Sequence, residues 1–190
     1  MILKTIAQIC KTYKCLRIVD ANDKQWIGTP KALYPAIGLP NGLSKAEVCT
    51  LFDISEEKQE KMIIEHFSSS DLQVVIFGGT NNDRSIKKLE TKVCFNSEIY
   101  EVLFTSKGVR LLNTRYLKPL AEEMKEGYVN YYERFGLDNE VYACISDGFF
   151  IGAVIELDKA TEAMQEEMSL IYQAMLSTST EPDEEEEEEE

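Results

Sequence analysis

The chain has 190 residues, 44% hydrophobic and 28% charged, which suits a globular body large enough to fold without disulfide or metal staples. Its formal net charge is −14, and no apolar run approaches the roughly 18 residues of a membrane helix. Met1-Ile2-Leu3-Lys4-Thr5 turns polar before a signal-peptide core could form, so no membrane association and a cytoplasmic location are expected.

Ile2, Ile6, Ile9, Cys10 and Tyr13 recur at helical spacing, which predicts an amphipathic helix over residues 3–14 with Lys4, Lys11 and Lys14 on its wet side. Cys15–Asp20 alternates apolar and polar, Asp20-Ala-Asn-Asp-Lys24 turns the chain, and Gln25–Gly28 runs back as a hairpin. Residues 30–40, with Pro30, Pro35, Gly38 and Pro40, are expected to be irregular. Ser44-x-x-Glu47 is a capping-box pattern that opens a short helix to about Phe52. Ser55 is placed to cap a second helix, expected to run to about Phe67.

Leu72–Phe77 predicts a strand, Thr80–Ser85 a loop, and Lys92–Phe95, Ile99–Thr105 and Val109–Leu112 further strands. Thr114–Met124 can form a helix only if Pro119 sits in a first turn or kinks it. Val129–Phe135, Val141–Ser146 and Phe149–Ile155 read as a meander joined by short connectors, and Asp158 as the cap of a last helix to about Leu176. Short turns between adjacent strands favour antiparallel pairing, hence an α+β class in which hairpins and meanders pack with amphipathic helices. Residues 1–180 then form one body, divisible near residues 83 and 84. Residues 181–190, with seven consecutive glutamates, are expected to be a disordered acidic tail.

Charge is unevenly placed. Arg84, Lys87, Lys88, Lys92, Lys107, Arg110, Arg115 and Lys118 face only Glu90, Glu98 and Glu101 over residues 84–118. Residues 119–180 reverse the balance, with twelve acids against three bases. The basic stretch is a candidate phosphate-contacting face, although scattered surface lysines are more often simply solvated. The acidic third, represented by Glu122, Glu123, Glu126, Glu162, Glu166 and Glu167, is a candidate surface for a cationic partner. Tyr128, Tyr131, Tyr132, Phe135, Tyr142, Phe149 and Phe150 crowd the meander. Strict alternation turns some of them outward, with Tyr131 and Tyr132 the named candidates for an interface. Leu157, Thr161, Met164, Met168, Ile171 and Met175 form a seam that docks on the core or, alternatively, serves self-association.

The catalytic and cofactor patterns fail on inspection. Five scattered cysteines lack a C-x-x-C pair and read as core thiols, and the single histidine, His66, leaves the common zinc patterns unfilled. Neither a P-loop nor a dinucleotide-binding glycine motif occurs, and the many carboxylates show no spacing that singles out a magnesium site. Val74-Val-Ile-Phe-Gly-Gly-Thr-Asn-Asn-Asp83 is similar to the G-x-N-D block of GDSL-type esterases. An extra asparagine separates its parts, the nucleophile block is missing, and no histidine follows His66 to serve as base. Gly78–Asp83 is therefore read as a turn, and no catalytic residue and no cofactor are expected.

Val109-Arg-Leu-Leu-Asn-Thr-Arg-Tyr-Leu-Lys-Pro-Leu120, followed by a strand meander, resembles a half-domain of the DNA sliding clamps over about residues 99–157. That resemblance implies a DNA-associated replication accessory factor with Arg110, Arg115 and Lys118 directed at DNA. Gln25-Trp-Ile-Gly28, Leu33-Tyr-Pro-Ala-Ile-Gly-Leu-Pro40 and Arg115-Tyr-Leu-Lys-Pro-Leu120 resemble segments of small proteins carried by phages and integrative elements of gut Firmicutes. The leading expectation is a non-enzymatic mobile-element protein that binds a nucleic-acid enzyme through its acidic surface, as a DNA-mimicking nuclease inhibitor of the anti-CRISPR kind. The alternative is the clamp-like accessory factor, with weak and salt-sensitive DNA contact.

Overall fold

The computed structural model describes residues 2–68, 77, 83–125, 129–136, 138–147 and 150–178. The expected strand at Leu72–Phe77 (Phe77 apart), Thr80–Asn82 of the expected loop, Glu126, Tyr128, Phe149 and the acidic tail lie outside the described residues. The end of that loop is corrected, because Arg84–Ser85 pairs as a strand with residues 132 and 133.

The first helix, α1 (Leu3–Tyr13), buries Ile6, Ala7, Ile9 and Cys10 and stops at Lys14. Lys14 takes a left-handed conformation, and its N–H returns to the carbonyls of Cys10 and Lys11, which closes the helix end. The hairpin follows as β1 (Cys15–Ala21) and β2 (Lys24–Thr29). Asn22 and Asp23 both carry positive φ, as a two-residue turn matched to strand twist requires. The region expected to be irregular contains a buried strand, β3 (Ala32–Pro35), against β2. Pro35 is tolerated because it ends the strand, and the ladder is continued by the Ala36 N–H to the Gln25 carbonyl at 2.8 Å. Glycine is required at position 28, where a Cβ would lie 2.0 Å from the Ala32 carbonyl oxygen.

The capping box is present at α2 (Lys45–Leu51): Ser44 N–H donates to Glu47 Oε2 at 2.8 Å, and Glu47 N–H donates to Ser44 Oγ at 3.3 Å. The next helix is a correction. It is a single turn, α3 (Glu56–Gln59), and Ile63–Phe67 is instead strand β4, parallel to β1. The run Ile-Ile-Glu-His-Phe gains more as a strand. Its ladder is fastened by Arg17 to Glu65 at 2.8 Å, by Arg17 over the Phe67 ring and by His66 to Asp20 at 2.7 Å.

Strands β5 (Arg84–Ser85), β6 (Lys87–Phe95), β7 (Glu98–Thr105) and β8 (Gly108–Asn113) come next. Thr114–Leu120 is a 3₁₀ helix capped by the Asn113 side chain, and α4 (Ala121–Lys125) continues from it. Pro119 lacks the N–H that an uninterrupted α-ladder would use, so the tighter helix gives way to the α-helix only beyond it. The meander is β9 (Asn130–Phe135), β10 (Val141–Ser146) and β11 (Ile151–Glu156). Asp158 does not cap a helix. It forms β12 (Asp158–Lys159), and α5 (Glu162–Thr178) starts later, with Thr161 Oγ1 accepting from the Met164 N–H.

The strands form an eight-stranded sheet, in the order β4-β1-β2-β3-β11-β10-β9-β5, and a four-stranded sheet, β12-β8-β7-β6. Pairing is antiparallel except between β1 and β4, and with the helices the chain is α+β. The boundary between residues 83 and 84 runs through the larger sheet, because β3 and β11 are neighbours at its centre. The main core lies between the two sheets, α1 and the 3₁₀ helix, around Leu16, Tyr34, Leu103, Leu112 and Ile155. The outer face of the smaller sheet buries Leu89, Val102, Val109 and Leu111 beneath Met164, Met168 and Tyr172 of α5.

Candidate protein-binding site

An apolar recess of about 340 Å³ lies at the β10–β11 end of the larger sheet. Ile145 and Gly152 from the paired strands, Leu120 from the end of the 3₁₀ helix and Val129 ahead of β9 form its apolar lining. A register irregularity at Ile145/Ser146 interrupts the ladder there, and a Cβ at position 152 would press on Leu120 Cδ2 at 3.1 Å. Ile37 and Phe150 stand at the mouth, 60% and 59% exposed. The Phe150 turn is fixed by its N–H to Asp147 Oδ1 at 2.7 Å, and Lys24 Nζ lies 5.8 Å from its ring centroid. Glu123 and Asp147 also line the recess, and exposed Glu122 precedes Glu123 on α4. An apolar hollow with exposed hydrophobics and an acidic border can hold an apolar side chain flanked by cations.

The expected acidic and aromatic residues do not lie together. Glu123 lines the recess and Glu122 is exposed next to it in sequence on α4, whereas Glu162, Glu166 and Glu167 are on α5, beside the smaller sheet. Glu126 lies outside the described residues. Tyr131 is a correction: it is 8% exposed and donates its hydroxyl to Glu101 at 3.2 Å. Burial, then the Glu101 carboxylate, pushes its hydroxyl pKa far up, so it packs as a neutral phenol and offers little surface. Tyr132, next in the strand, is half-buried. The α5 seam is likewise displaced: Met164, Met168 and Tyr172 pack inward, the last stacked on Phe104 at 4.3 Å, while Ile171 and Met175 are exposed.

The basic stretch is spread over several surfaces. Lys88 and Lys92 of β6 converge on buried Glu101, at 3.5 and 3.7 Å, and Arg110 lies across β7 from Lys88, opposite Leu103. Lys87 is on the other face, 5.9 Å from the Tyr172 ring. Lys107 reaches toward Phe135 from the β7–β8 turn. Arg115 is paired with Glu98 and donates to Tyr13 Oη at 2.7 Å; Lys118 is exposed on the 3₁₀ helix, and Arg84 sits on edge strand β5. Several of these cations therefore neutralise acids of the same body.

His66 is on a strand, hydrogen-bonded to Asp20, which also accepts from Gln25 Nε2 at 2.8 Å. In a hydrolase reading of the Gly78–Asp83 block the side chains to test would be Asn82, Asp83, Ser85 and His66. Ser85 lies on β5, at the opposite edge of the eight-stranded sheet from His66, and Asn82 is outside the described residues. Among the described residues no cluster of three or more His, Cys, Asp or Glu side chains could hold a metal ion, and no helix is long and apolar enough to cross a membrane. Neither a family model, nor a curated protein, nor a solved structure matches the chain. Lys24, Ile37 and Leu120 escape a reading of the sequence as neighbours of Phe150, because they stand on segments far apart along the chain and only the folded sheet brings them together.

Proposed function

We propose that the chain is a non-enzymatic binding protein of a mobile genetic element that docks on a nucleic-acid enzyme, as a nuclease inhibitor does. The observation that carries this reading is the recess between Ile37 and Phe150, with Glu123 and Asp147 in its lining. An apolar side chain of the partner fills the hollow, and the acids meet the cationic surface with which such an enzyme attracts nucleic acid. Acidic border residues raise the association rate at low salt, and the buried anchor sets the dissociation rate. The excess of acids in residues 119–180 supports the same polarity of partner.

The test compares the tagged full-length chain with an Ile37→Asp/Phe150→Asp variant in capture from nuclease-treated bacterial lysate. The captured enzyme is then re-bound in purified form. The reading expects a nuclease, polymerase or related enzyme to be retained by the chain and to bind the variant at least tenfold more weakly. Equal binding by the variant, or recovery of no nucleic-acid enzyme, overturns it. Both substituted residues are exposed, so a correctly folded variant is expected, and an unchanged circular dichroism spectrum checks this.

A further inference from the structure

Four cations outside the basic middle stretch meet at one place. Lys11 and Lys14 end α1, and Lys58 and Lys61 lie on and just after α3, more than forty residues later in the sequence. The fold brings them together through the parallel pairing of β1 with β4. The Ile63 N–H donates to the Lys14 carbonyl at 2.9 Å, which sets the start of β4, and with it the end of α3, beside the end of α1. The four lysines and Met62 line a recess of about 220 Å³.

Two of these lysines have an ordinary explanation, since cations near a helix C-terminus complement its dipole, and Lys11 and Lys14 end α1. Lys58 and Lys61 arrive from another segment, which also carries Glu56, Glu57 and Glu60, so the dipole of α1 does not explain their place beside the recess. The acids that answer them are peripheral. Asp53 reaches Lys11 at 3.7 Å with its side chain 99% exposed, and Glu57 pairs with Lys61 at 2.6 Å on the surface. Such exposed pairs are weak and readily exchanged for a better anion. In a chain of net charge −14, four lysine side chains line this one hollow, and Lys14 and Lys58 lie beside the paired Lys11 and Lys61.

We infer that this recess binds phosphate, either as a free phosphate ester or as a phosphodiester of a nucleic-acid strand. Ammonium groups on flexible stems act there as point charges with three donors each, so several can share the oxygens of one phosphate without a fixed bidentate geometry. The site is independent of the apolar recess, which is lined by different residues.

The experiment uses the full-length chain and a Lys14→Asn/Lys58→Gln variant. Asparagine tolerates the left-handed backbone of position 14, φ 50°, and Lys58 is exposed, so the fold is kept. A Lys45→Gln/Lys159→Gln variant, changed at exposed lysines elsewhere, is the control. Two probes are titrated at low salt: inorganic phosphate, followed by amide chemical shifts, and a labelled single-stranded oligonucleotide, followed by anisotropy. Loss of at least tenfold in oligonucleotide affinity, confined to the Lys14/Lys58 variant, assigns the site to a strand. The salt slope should then fall by about 1.4, at roughly 0.7 for each phosphate that is no longer neutralised. Loss of the phosphate response alone, in that variant only, assigns it to a free phosphate ester. If the Lys14/Lys58 variant matches the unsubstituted chain with both probes, or neither probe binds, the inference is wrong.

Discussion

Lys31 joins the two sheets. Its ammonium donates to Glu156 Oε1 at 2.9 Å, at the end of β11 in the larger sheet, and to Asp158 Oδ1 at 2.8 Å, in β12 of the smaller one. Partial burial lowers the lysine pKa, but the hydrogen bonds and charges of Asp158 and Glu156 outweigh it and hold the pKa at about 12, above the ordinary 10.5. At about 1.4 kcal/mol per tenfold, that rise corresponds to roughly 2 kcal/mol. The side chain is 43% exposed, and solvent screening reduces the contribution to about 1 kcal/mol. A folded-state pKa raised above the unfolded value gives stability that is fully present below pH 10.5 and is lost as pH rises through about 12. Lys31→Met keeps the apolar stem and removes the charge. Urea unfolding at pH 8 should show a loss of about 1 kcal/mol, which for a slope of roughly 2 kcal/mol per molar is a midpoint lower by about 0.5 M. Paired with Asp158→Asn, it should give a coupling energy of at least about 0.5 kcal/mol. An unchanged midpoint, or additive losses in the double variant, refutes the reasoning.

Two further outcomes are expected. Burial pushes the Cys10 and Cys144 thiols up to about 12, in Cys10 with help from Cys15, so at neutral pH iodoacetamide should modify exposed Cys94 and spare both; mass spectrometry showing either labelled as fast as Cys94 contradicts this packing. Leu103 is fully buried between the sheets, and Leu103→Ala should cost about 2–5 kcal/mol in urea unfolding, whereas a loss below about 1 kcal/mol would mean that the interface between the sheets is loose.

Legibility in the sequence follows the range of the interactions. The capping box at Ser44 and Glu47, the Asn22-Asp23 hairpin turn and the strand Val141–Ser146 depend on a few adjacent residues, and they stand where the pattern puts them. Ile63–Phe67 reads as helix in isolation because its decisive partner, β1, lies some fifty residues earlier and pairs in parallel, which no local turn announces. Alternation alone points to Tyr131 as a surface candidate; only the smaller sheet, packed across it with Glu101, buries it. The recess has the same character. Phe150 is visible as one aromatic among several, but Ile37, Lys24 and Leu120 reach it from three other elements. The charge asymmetry is readable from composition, yet the pairing of Lys88 and Lys92 with Glu101 requires the β6–β7 register.

The join between β3 and β11 at the centre of the larger sheet also bears on how the protein is made. Residues 15–67 can pair among themselves as β4-β1-β2-β3, but the free edge of β3 finds its neighbour only when residues 151–156 emerge. At synthesis rates of about 5–20 residues per second, that edge waits roughly 6 to 24 seconds. During the interval a four-stranded half-sheet, carrying Trp26, Leu33 and Tyr34, is a template for any extended segment nearby. A nascent chain stalled before residue 151 is therefore the species most prone to aggregate, and the β11 segment is the piece of sequence that ends the risk.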